Sequence, residues 1–176
     1  EMSKGSETTQ LMAPLAQAVV AARAGRKGDA LRQVEAALKV RPQDRNAVLL
    51  RPYALALNGK WTQAFDDSGD AALNGSDGGR LLVYLLKAER ARLYELRGKT
   101  DKAEALYKEL CQPGAARYIF GPDYAAFLER RGRADEAKTL WSGIAAQTGD
   151  AAAKAALARI AANGAPPALP DLKASM

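Results

Sequence analysis

Residues 25–42 read GRKGDALRQVEAALKVRP, and their skeleton decides the architecture: Gly25, Ala30 five residues on, Val34 four later and Ala37 three beyond that. The same skeleton recurs at Gly59, Ala64, Ser68 and Ala71, at Gly98, Ala103, Tyr107 and Leu110, and at Gly132, Ala137, Trp141 and Ile144. Successive glycines stand 34, 39 and 34 residues apart, so the unit is about 34 residues long with one five-residue insertion. A fixed period of that length marks an array of supersecondary units, each too small to bury its apolar face alone.

Outward from this stretch, the chain reads as paired helices. Leu11, Leu15, Ala18, Val19 and Ala22 fall at helical spacing within residues 10–24. Thr8 or Thr9 is the expected cap of this helix, with Pro14 in its first turn and residues 1–9 a flexible segment. Gly25 ends it, Asp29 sits at the start of the next, and Pro42 stops that one. Asp44 caps a third helix, which Pro52 is expected to kink. The cluster from Asn74 to Gly79 reads as a longer loop holding the insertion.

Residues 81–97 form the best-patterned amphipathic helix, followed by one capped by Thr100 or Asp101. Gly121-Pro122 is expected to interrupt the first helix of the last pair. Asp150 opens an alanine-rich helix suited to capping the open end of a stack. The superhelical domain thus spans 10–162. Residues 163–176, with Pro166, Pro167 and Pro170, form an extended tail or linker.

Composition narrows the function classes. The chain has 176 residues, no histidine and one cysteine, Cys111, so the commonest general base and metal ligand is missing and no internal disulfide can form. Aromatics are only 6% while alanine is abundant, which favours helices packed through small side chains over a sheet. The net charge of +6 is spread over nearly every helix. No apolar run is long enough to span a bilayer. Asp66-Asp67 and Asp135-Glu136 read as solvated faces, and the glycines of residues 75–79 lack the Lys-Ser/Thr of a phosphate loop. The Arg130, Arg131 and Arg133 cluster sits at a helix C-terminus, where it complements the dipole. No catalytic residue, metal site, cofactor or small-molecule substrate is expected.

Gly at each turn, Ala opening each second helix, a large residue one turn later and the small residues Ala91 and Ala125 together resemble the tetratricopeptide repeat. The third unit matches best, with Ala91, Tyr94, Gly98, Ala103 and Tyr107 at family positions, and Pro42 supplies a closing proline. The likeness covers residues 11–162. Residues 118–137, followed by the GAPP linker, also resemble repeat proteins of alphaproteobacterial type. The family resemblance implies an all-α, right-handed solenoid of about four helix pairs plus a C-terminal capping helix, its concave wall lined by the first helix of each pair.

Carried onto this chain, the family's groove positions include Leu15, Val19 and Arg23, then Asn46, Leu49 and Tyr53, then Leu85, Arg92 and Leu96, and Arg130 from the last pair. Met12, Leu57, Ala88, Ile119, Ala126 and Glu129 stand at further groove positions. The family's clamp for a C-terminal carboxylate needs Lys and Asn where this chain has Leu15, Val19, Leu50, Leu85 and Glu89. The groove therefore reads as apolar, studded with Arg23, Arg92 and Arg130. It suits a peptide or helix of a partner protein with hydrophobic anchors and acidic flanks.

The expected function is a non-enzymatic adaptor or scaffold, with a cell-envelope assembly as one setting. Two rivals are a structural subunit docking through convex or lateral surfaces, and a basic surface binding nucleic acid or anionic lipid. The second is disfavoured by the dispersed charge. The opening Glu1-Met2 is compatible with the cytoplasm or, after removal of a signal, with the periplasm.

Overall fold

The computed structural model describes residues 3–68, 79–114 and 116–176. Among them are nine α-helices and no strand: α1 (Ser3–Arg23), α2 (Lys27–Val40), α3 (Arg45–Leu57), α4 (Trp61–Asp67), α5 (Gly79–Leu96), α6 (Thr100–Leu110), α7 (Ala116–Arg130), α8 (Ala134–Thr148) and α9 (Ala151–Ala161). They fall into two compact units. The first holds residues 1–96 together with Pro170–Met176, and the second holds Arg97–Leu169.

The glycine skeleton is written into the backbone. Gly25, Gly59, Gly98 and Gly132 have φ of 76°, 76°, 75° and 75°, a left-handed conformation in which any Cβ crowds the chain. In three of these turns the glycine N–H bonds three residues back, to Ala22, Ala56 and Glu129. The following N–H, of Arg26, Lys60 and Arg133, reaches five residues back to Ala21, Leu55 and Leu128. This double closure satisfies carbonyls that a helix end leaves open. The next helix then starts with a bond from Ala30, Ala64, Ala103 or Ala137 to the carbonyl of the basic residue after the glycine. All four alanines are fully buried, because the turn brings the two helices too close for a larger side chain.

In the first unit α1 packs on α2, α2 on α3 and α3 on α4. The alternate helices also meet, α1 against α3 and α3 against α5. Leu11, Leu15, Ala37 and Ala47 form one cluster, with Leu38 and Leu50 against it. Phe65 stacks on Tyr94 with ring centroids 4.5 Å apart. Ser68 stands where the other repeats carry Val34, Tyr107 or Trp141. It is buried, and its hydroxyl donates to the Ala64 carbonyl at 2.8 Å. Asn58 ties two turns together by donating to both Ala54 O and Lys27 O at 2.8 Å.

In the second unit α6 packs on α7, α7 on α8 and α8 on α9. Tyr107 lies 5.2 Å from Phe127 and 6.0 Å from Tyr124 between ring centroids. Asp150 caps α9 by accepting from Ala152 N at 2.8 Å. That helix is held by the Glu129 carboxylate, which receives Trp141 Nε1 and Arg159 Nη2, each at 2.8 Å.

Several local expectations change. α1 begins at Ser3, so Thr8 and Thr9 lie inside it and Pro14 falls in its middle instead of its first turn. Asp44 caps α3 as expected, accepting from Asn46 N and Ala47 N, and α3 continues through a buried Pro52. No side chain caps α6, which starts from Lys99. Gly121-Pro122 does not interrupt α7. A Cβ on Gly121 would stand 3.0 Å from Ile144 Cδ1, so this glycine is there for the close approach of α8. Of the loop expected over Asn74–Gly79, residues 74–78 lie outside the described residues, and Gly79 opens α5.

Candidate functional site

The expected groove positions divide by unit. In the first, α1 contributes Leu15, Val19 and Arg23, α3 contributes Asn46, Leu49 and Tyr53, and α5 contributes Leu85, Arg92 and Leu96. Arg130, with the further positions Ile119, Ala126 and Glu129, lies on α7 and belongs to the second. Because α3 lies against both α1 and α5, the first three sets occupy adjoining helices.

Burial sorts them further. Leu15 is 5% exposed and belongs to the core cluster with Leu11, Ala37 and Ala47; Tyr53 is 2% exposed. Neither offers a ligand more than an edge. Val19, Leu49, Leu85 and Leu96 are half-buried, so each packs on neighbouring side chains and still presents some surface. Asn46, Arg23 and Met12 are exposed.

The arginines are engaged differently from the sequence expectation. Tyr53 donates its hydroxyl to Glu89 Oε2, and Arg92 Nη1 approaches both, 3.4 Å from that carboxylate oxygen and 3.5 Å from the phenol oxygen. Burial first, and then the Glu89 charge, push the Tyr53 hydroxyl well above its ordinary pKa, so it remains a donor. Arg92 thus serves a local carboxylate and is half-buried beside it. Arg130 donates to the carbonyl of Pro167 at 3.4 Å. Arg133, from the basic cluster, bonds Glu104 at 2.7 Å and forks onto Glu136 at 2.6 and 2.7 Å. Glu104 also receives Lys108 at 2.8 Å, and these bonds hold its carboxyl below the usual range. At Arg92, Lys108 and Arg133, charge that the sequence scatters as positive is compensated by carboxylates of the chain itself.

One feature of the wall was not visible in the pattern of helices. Residues Pro170–Met176 belong to the first unit, and Leu172 and Met176 pack against Ala21, Ala22, Ala30 and Leu57. The segment forms one turn organised by Asp171, which accepts Ala174 N on its side chain at 2.7 Å and Ser175 N on its carbonyl at 3.0 Å. A cleft of about 250 Å³ lies beside this turn, lined by Lys27, Leu57, Trp61, Leu96 and residues 171–173. The sequence signal was an Asp directly after a proline-rich run, the mark of a capped turn.

Among the described residues no cluster of His, Cys, Asp and Glu could hold a metal ion, and no helix is long and apolar enough to cross a membrane. The chain matches no protein-family model, no curated protein and no solved structure.

Proposed function

We propose that this chain is a protein-interaction module of tetratricopeptide type, a right-handed stack of about four helix pairs, in which α1, α3 and α5 hold a peptide or helix of a partner protein. The observation that carries the reading is the row of half-buried apolar side chains, Val19, Leu49, Leu85 and Leu96, on alternate helices that pack side by side. Four glycine turns of matching torsion support the repeat register behind that wall. A surface of this kind binds through apolar anchors at helical or extended spacing.

The compensation of Arg92 by Glu89 shifts the emphasis from acidic flanks to apolar anchors. It also weakens the case for an anion-binding surface, since a phosphate would compete with a carboxylate already in place. The adaptor acts by holding, without catalysis.

Selection of a displayed twelve-residue peptide library against the chain tests this. The expected outcome is an enriched consensus with two or more apolar anchors, lost in a folded Leu49→Asp, Leu85→Asp variant. Absence of a consensus, or its retention by that variant, contradicts the reading and favours docking through the outer surfaces.

A further inference from the structure

The C-terminal turn has the properties of a ligand. It is joined to the preceding helix by residues 162–169, mostly exposed and rich in proline, and it contributes no helix to the stack. Its internal bonds all run to Asp171, so the turn is formed by its own residues and carries Leu172 and Met176 four apart, on one face. It packs against Ala21, Ala22, Ala30 and Leu57, of which Leu57 stands at an expected groove position, and Leu57, Leu96 and Trp61 line the cleft beside it.

The cleft of about 250 Å³ beside the turn, where Leu57, Trp61 and Leu96 line it, could take a further apolar side chain, one the tail does not supply. Lys27 lines the same cleft as Asp171, so the acidic cap of the turn enters beside a basic residue. An occupant made in one piece with its receptor, joined through a mostly exposed segment and bordered by an open cleft, is well placed to be exchanged for a better one.

We infer that the surface under Leu172 and Met176 is a peptide-docking site and that residues 171–176 are its tethered occupant. The exchanging partner is a short segment that folds into one acid-capped turn, with Leu and Met-like side chains four residues apart. This inference rests on the peptide-holding reading above and assigns it a site and a ligand chemistry. The tether makes the tail a competitor at an effective concentration on the order of millimolar, so a free peptide binds the intact chain far more weakly than a chain whose tail is disengaged.

The test uses the full chain and a fluorescein-labelled peptide of residues 165–176. In the Leu172→Asp, Met176→Asp variant, with helicity unchanged by circular dichroism, the peptide is expected to bind at least tenfold more tightly than to the original chain. A peptide carrying Leu172→Asp should not bind, and Trp61 emission should shift on tail release and return on peptide addition. Should the double variant lose helicity, Leu172→Ala alone is expected to raise peptide affinity in the same direction. Equal affinities for the original and variant chains, no binding to either, or Trp61 emission indifferent to both overturns the inference. So does a concentration-dependent dimer of the original chain that the variant abolishes, since the tails would then be exchanged between copies. Failure here together with a Leu49- and Leu85-dependent library consensus removes the tethered ligand and leaves the docking wall standing.

Discussion

Trp141 donates its indole N–H to Glu129 across 2.8 Å, and the same carboxylate, 8% exposed, takes both of its contacts with Arg159 at 2.8 Å. One acid on α7 therefore anchors α8 and α9 at once. Its removal strands an indole donor and a guanidinium that sits 31% exposed. Glu129→Ala is expected to destabilise the second unit by about 2–4 kcal/mol, and Glu129→Gln by less, because the amide still accepts from Trp141. Urea midpoints of the two variants check the order.

Two glycines near one another in sequence meet opposite backbone demands. Gly132 holds a φ of 75°, whereas Gly143 lies within α8 with nothing within 4 Å of an added Cβ. Gly132→Ala should therefore destabilise by about 1–2 kcal/mol. Gly143→Ala should stabilise by roughly 0.5–1 kcal/mol through helix propensity. Thermal unfolding of both variants, compared with the original chain, reads the two signs.

Alkaline pH should weaken the first unit through Tyr53. Its hydroxyl pKa is raised by burial and by Glu89, while the same group in the unfolded chain ionises near its ordinary value. Above about pH 10 the unfolded state sheds this proton and the folded state keeps it, so stability falls as pH rises. Denaturation midpoints should be insensitive to Tyr53 at about pH 8–9 and decline as the pH rises past about 10, and Tyr53→Phe should remove part of that decline.

Cys111 is half-buried, and burial pushes its thiol up to about 11. Since the thiolate is the reactive form, alkylation by iodoacetamide at pH 8 is expected to run about a hundredfold slower than for an exposed thiol. Urea should restore the ordinary rate, which mass spectrometry of the modified chain can follow.

Much of the fold could be read from residues whose reasons are local. Gly25, Gly59, Gly98 and Gly132 announce left-handed turns because few other residues tolerate them, and Asp44 and Asp150 announce caps because their carboxylates reach the first free N–H groups. What stayed hidden has tertiary causes. Gly121 looks like a breaker beside Pro122, yet its smallness serves the contact with Ile144 on another helix. Leu15 and Tyr53 share a spacing with Leu49 and Leu85, but periodicity gives a face and not the neighbour that covers it. Glu89, one turn before Arg92 on α5, also receives the Tyr53 hydroxyl from α3, and that cross-helix partner is not written in the i,i+3 spacing.

The tail marks the same boundary. Its prolines correctly exclude a long helix, and composition then suggests an extended linker. Only the packing of Leu172 and Met176 on Ala21, Ala22, Ala30 and Leu57 shows where it ends up.

Methyl spectra of the leucine- and valine-labelled chain, titrated with a library-selected peptide, interrogate the wall residue by residue. Saturable shifts at Leu49, Leu85 and Leu96, with Val34 and Leu128 unmoved, are the expected result. Shifts confined to the second unit, or none at the three wall leucines while the peptide binds, would contradict the account.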